Sequence, residues 1–230
     1  MSSVREIETP SRVGRDVRGP ACGLLVGGAL FFVGGSMHPS GEDVPGAGVK
    51  EALRSMFVDP AWDRSHGLIL LGMVVIAAAL VALVRSSALS PDPRAQKVGV
   101  IAAVCAVLGA VDAVPHLFAA SEADAIAAGD STPITNVHVV LQTVIVPAFG
   151  FSMAGLAVIG AQTRTLGNWV TAVPGVVGGV AYGIAGATVL FIDGVAVLFA
   201  GAAGLAVWVF AAGVGLLVRS RTASPAARAS

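Results

Sequence analysis

Apolar residues fill six long runs of this chain, at about 20–37, 66–84, 98–120, 137–161, 169–192 and 195–218. A helix needs roughly 20 largely apolar residues to cross the hydrocarbon core of a bilayer, and each run meets or approaches that length. Backbone polar groups in lipid must be satisfied within the segment, so runs of this kind are read as helices. The pattern predicts an all-α fold, a polytopic bundle of six transmembrane helices. The last two runs are parted only by a tight turn at Asp193-Gly194.

The stretches between the runs set the domain organisation. Residues 1–19 and 219–230 are polar and arginine-bearing, which predicts disordered tails flanking a membrane domain at 20–218. The longest connection is an outer loop at 39–65. Within it, Val49 to Val58 predicts a short helix with Leu53, Met56 and Phe57 on one face. That helix has two possible places: along the lipid headgroups with Trp62 as interfacial anchor, or over the end of the bundle as a cap. Further on, Ser121-Glu122-Ala123-Asp124 predicts the start of a helical turn and Gly129-Asp130 its stop.

Basic residues orient the threading. Arg5, Arg12, Arg15, Arg18, Arg85, Arg94, Lys97, Arg164, Arg219, Arg221 and Arg228 fall on one side of the six runs. Only Lys50, Arg54 and Arg64 fall on the other, among an excess of acids. The positive-inside rule then puts both termini in the cytoplasm. A cleaved signal peptide is the alternative for the first run, which follows an arginine-rich stretch. The run is long for such a segment, however, and no A-x-A site follows it.

Composition agrees with the pattern. The chain is 55% hydrophobic and 12% charged, with a mean hydropathy of +0.83. Soluble domains carry about 25% charged residues. The expected partner is therefore the lipid bilayer, and a net charge of zero gives no reason to expect nucleic acid. Usage rich in Ala, Gly and Val and poor in Lys points to a bacterial plasma (inner) membrane. Gly23 and Gly27, and Gly175, Gly179 and Gly183, repeat every fourth residue. Such ridges bring helices close, either within the chain or in a homo-oligomer or larger membrane complex. Cys22 and Cys105 lie in apolar runs without zinc spacing and read as small packing residues.

Candidate chemistry sits on the four histidines. His38 closes the first run, His66 opens the second, His116 lies near the end of the third, and His138 opens the fourth. In the threading above all four fall at the outer ends of their helices. Histidine is costly in lipid and marks metal sites, proton relays or cofactor pockets there. Asp112 and His116 are four apart and share a helical face, so Asp112 is expected either to accept a hydrogen bond from His116 or to be protonated. Pro115 between them frees a backbone carbonyl. His138 and Gln142 repeat the spacing. Gly34 and Gly35, beside His38, let another backbone or a flat ligand approach. Ser65 is positioned to cap the helix that begins at His66.

Three readings follow. In the first, His38, His66, His116 and His138 bind a metal ion such as copper or zinc, or haem, for redox or hydrolytic chemistry. Asp112 and His116 would then be catalytic, with Gln142, Gly34 and Gly35 at the cofactor. In the second, Asp112 and His116 act without metal, in a membrane-embedded enzyme on a lipid or isoprenoid substrate or in a proton-coupled transporter of small solutes. In the third, the chain is a structural accessory subunit of a membrane complex. No H-x-x-x-H, H-E-x-x-H or C-x-x-C motif occurs. The first reading therefore stands only if the fold gathers the imidazoles.

Overall fold

The computed structural model describes residues 17–40, 49–86, 88–89, 91–192 and 194–222. Most of both expected tails, 1–16 and 223–230, lies outside the described residues. Six helices are long and apolar enough to cross a membrane. They are built on α1 (Arg18–Ser36), α3 (Trp62–Arg85), α4 (Pro93–Phe118), α6 (Pro133–Gln162), α7 (Trp169–Thr188) and α8 (Gly201–Thr222), with α2 (Val49–Phe57) and α5 (Ala123–Ala128) as short additions. No strand occurs among the described residues.

Each spanning helix packs on the next in chain order, α1 on α3, α3 on α4, α4 on α6, α6 on α7 and α7 on α8. α8 then returns to α1, so the six close into a ring. Leu24, Ile76, Leu80, Met153, Leu156 and Trp208 are buried inside it. Its outer face is also apolar, with Val104, Val111, Val144 and Val177 exposed. A surface of this kind suits contact with lipid tails rather than water.

Glycine sets how closely the ring is drawn. A Cβ on Gly150 of α6 would lie 2.5 Å from the Gly179 carbonyl oxygen of α7, and one on Gly72 of α3 would lie 2.7 Å from the Phe31 backbone nitrogen of α1. Main chain touches main chain at these points, which any side chain would prevent. Of the ridges seen in the sequence, Gly27 and Gly179 meet backbone of neighbouring helices in this way, while Gly175 makes room for the Trp208 indole and Gly183 for the Phe151 ring.

Element ends depart from the hydrophobic runs where polar caps extend or end a helix. α4 begins five residues before its run, because the Asp92 side chain accepts from the Arg94 and Ala95 backbone N–H groups ahead of Pro93. α6 begins at Pro133, and the Glu122 carboxylate accepts from the Ile134 and Thr135 N–H groups at 2.8 Å each. α7 stops at Thr188, short of its run, and a 3₁₀ segment at Val195–Ala200 leads into α8. Hydropathy alone cannot see that break, since Phe191, Ile192 and Val197 are apolar although they lie outside α-helix.

α2 lies where the outer-loop pattern placed a helix, and of the two placements the cap is the one observed. Phe57 joins Trp62, Ala119, Ala123 and Ile126 in a second small core over one end of the ring. Trp62 is 1% exposed, which fits the cap and not the alternative of a headgroup anchor. α5 occupies the expected short turn, and Gly129 ends it in the left-handed region at φ 78°. At the other end of the ring, the Arg219 guanidinium donates to the Arg164 and Thr165 carbonyls.

Candidate metal centre

The capped end is where the histidines are. His38 lies two residues past the end of α1, His66 in the first turns of α3, His116 in the last turn of α4, and His138 early in α6. α1, α3, α4 and α6 are consecutive members of the ring. Alternating chain direction turns one C-terminal end, one N-terminal end, another C-terminal end and another N-terminal end toward the same place.

The rings meet. Centroids lie 4.7 Å apart for His38 and His66, 4.4 Å for His66 and His116, and 6.1 Å for His38 and His116. One ligand atom from each of these three lies within 4.8 Å of the other two. Ligand nitrogens on a tetrahedral ion stand about 3.4 Å apart, given metal–nitrogen bonds of about 2.0–2.1 Å. His138 stacks on His116 at 4.0 Å with planes 14° apart, which makes the four imidazoles one continuous group.

The hydrogen bonds define what each ring offers. His38 Nδ1 lies 2.8 Å from the Pro39 carbonyl oxygen, and His66 Nδ1 lies 2.9 Å from that of Trp62. A carbonyl oxygen only accepts, so both Nδ1 atoms carry the proton and both Nε2 atoms present a lone pair. His66 Nε2 is fully buried and has no hydrogen-bond partner. An unsatisfied acceptor in such a place costs about 1–3 kcal/mol, and a bound ion would satisfy it. An imidazole with one nitrogen held by a carbonyl or carboxylate and the other free is the usual state of a metal-binding histidine. Burial also holds the His38 imidazole below its ordinary 6.5, partly offset by its bond to Pro39, so the neutral ligand form is favoured.

Trp62 completes the site, and the sequence reading missed its role. Its indole stacks on His66 at 3.7 Å and stands 5.6 Å from His116. Its Nε1–H donates to the Leu117 carbonyl at 3.1 Å, tying the start of α3 to the end of α4. The signal was present, since Trp62 and His66 are four apart. Starting the helix at His66 hid it. The true start is one turn earlier, where the Asp59 side chain accepts from the Ala61 N–H at 2.7 Å and the Asp59 carbonyl accepts from the Trp62 N–H.

Other expected site residues divide. Asp112 is buried, and its Oδ1 accepts from His138 Nδ1 at 3.0 Å. The expected bond from His116 is therefore replaced by one across helices, because His116 leans onto the other imidazoles instead of back along its own helix. Gln142 is half-buried one turn along from His138 and makes no hydrogen bond with the imidazoles or Asp112. A Cβ on Gly34 would lie 2.8 Å from both the Ser65 carbonyl oxygen and the Ile69 nitrogen, so that glycine seats the α3 backbone. Gly35 faces open space. Ser65 is not a cap: it lies inside α3, fully buried, with its hydroxyl unpartnered.

Fold and site define a class: a multi-pass, helical membrane-type protein with a three-histidine site able to hold a metal ion. The chain matches no family, no curated protein and no solved structure.

Proposed function

We propose that the protein binds one transition-metal ion, zinc or copper, on His38, His66 and His116, and uses it for hydrolytic chemistry at the membrane surface. The observation that carries this reading is the buried, unpartnered Nε2 of His66 among two further imidazoles. Three neutral histidines suit zinc and copper, and three protein ligands with an open position are the pattern of catalytic zinc sites. A bound ion would act as Lewis acid and make a water acidic near neutral pH.

The chain's own groups do the rest. His138 and Asp112 form a buried imidazole–carboxylate pair beside His116. An imidazole oriented by a carboxylate is a general-base arrangement, which favours the hydrolytic over the redox reading. It also revises the metal-free alternative, whose proton pair would be His138 and Asp112. Trp62, seated in the small core that α2 and α5 help to form, covers one side of the site. An ion is favoured over haem because the imidazoles and Trp62 are in mutual ring contact, which leaves no slot for a porphyrin plate. The distribution of Lys and Arg supports cytoplasmic termini and a site on the outer face, and composition supports a bacterial plasma membrane.

Elemental analysis of the purified full chain tests the metal reading. About one zinc or copper per chain is expected, lost in His66→Ala and His116→Ala. Visible absorption of a tetrahedral Co²⁺ form would report the same ligands. A folded, metal-free protein that binds none of these ions would leave the acid–base pair or an accessory role as the remaining explanation.

A further inference from the structure

The opposite end of the ring carries a second feature, independent of the histidines. A surface groove of about 300 Å³ lies there between α3 and α4. Its walls include Val81, Val84 and Arg85 of α3 and Val104, Val107 and Leu108 of α4. The lining is almost wholly apolar, and Arg85 lines it with the aliphatic stem of its side chain. Val104, Val107 and Leu108 are exposed on the outer face of the ring, so the groove opens sideways, where lipid would be.

Two cations flank this groove, Arg85 from its lining and Lys97 one turn before Val100 on α4. Arg85 is the last residue of α3 and is exposed. Lys97 is also exposed, and on α4 it shares a helical face with Val104 and Leu108. Among the described residues neither is paired with a carboxylate. The nearby Asp92 is committed to Arg94 at 2.9 Å and to the start of α4. The groove itself is apolar, and the positive charge lies beside it, toward the end of α3 and the start of α4.

We infer that this groove is a binding site for an anionic phospholipid, with one acyl chain along Val81, Val104 and Leu108 and the headgroup phosphate between Arg85 and Lys97. A water-soluble anion has no use for the apolar walls, and a neutral lipid has no use for two unpaired cations. Guanidinium and ammonium groups at the membrane surface attract acidic lipids, each contributing about fivefold in binding.

The test uses the purified full chain, with lipid retention followed by native mass spectrometry. Phosphatidylglycerol is expected to be retained several-fold over phosphatidylcholine. Arg85→Gln with Lys97→Gln should abolish that preference, and Val104→Phe, which fills the groove from an exposed position, should reduce retention of phosphatidylglycerol. Soluble glycerol phosphate should not compete. Equal retention of the two lipids by the unaltered chain, or a preference that survives in the double variant, overturns the proposal. Competition by glycerol phosphate would overturn the acyl-chain half of it. All three substitutions lie away from the histidines, so metal content should stay the same and the two sites can fail separately.

Discussion

At the scale of single residues, the site is governed by where protons and lone pairs are held. Asp112 illustrates this. Its carboxylate satisfies the buried Nδ1–H of His138. Asp112→Asn keeps an acceptor in place and should leave the fold intact. Asp112→Leu strands a buried donor and should lower stability by about 1–3 kcal/mol, read by thermal unfolding in detergent. His38 gives a prediction in pH. Burial lowers its folded-state pKa below 6.5, so the unfolded chain takes up the proton first as pH falls. The stability linked to His38 is complete above pH 6.5 and is lost as pH falls below it. In the metal-free protein, an NMR titration of the His38 ring should show a midpoint below 6.5; a midpoint at or above it would contradict the burial argument.

At the scale of elements, helix-to-helix distance is set by glycine and element length by caps. Gly150 and Gly215 both lie inside helices but should respond oppositely to Ala. At Gly150 the new methyl meets the Gly179 carbonyl and the Gly183 backbone of α7, and overpacking should cost about 1–3 kcal/mol. At Gly215 nothing lies within 4 Å, and the better helix propensity of Ala should add up to about 1 kcal/mol. Thermal unfolding of both variants under one set of conditions checks the pair. A neutral Gly150→Ala would contradict the close approach of α6 and α7 at this point. Glu122 acts at the same scale. By capping α6 from the α4 end of the connection, it holds the turns bearing His116 and His138 side by side.

At the scale of the whole molecule, chain order alone closes the ring, and the ring segregates its ends. The histidines and the α2–α5 cap occupy one end. Arg85, Arg94, Arg219 and Arg221 occupy the other. Positive-inside threading then expects the histidine end outside the cell. Single cysteines at the exposed positions Asp130 and Arg221, in a chain with Cys22 and Cys105 replaced, test this. A membrane-impermeant maleimide should label Asp130→Cys in intact cells and leave Arg221→Cys untouched until the membrane is opened. The reverse pattern would invert the topology and put the site in the cytoplasm.

The amino-acid order by itself determined the spans, because six apolar runs separated by charge leave the backbone few ways to satisfy its hydrogen bonds in lipid. It also determined that His38, His66, His116 and His138 share one level, since helices that alternate in direction bring C-terminal and N-terminal ends together. Which side chains touch at that level was decided only in three dimensions. The partner of Asp112 is His138 and not His116, Gly34 seats a neighbouring helix, and Trp62 turns from the headgroups onto His66. Helical spacing reports neighbours along one helix. Contacts between helices depend on crossing distances set by glycine and on caps that start a helix one turn early, and neither leaves a periodic trace in the chain.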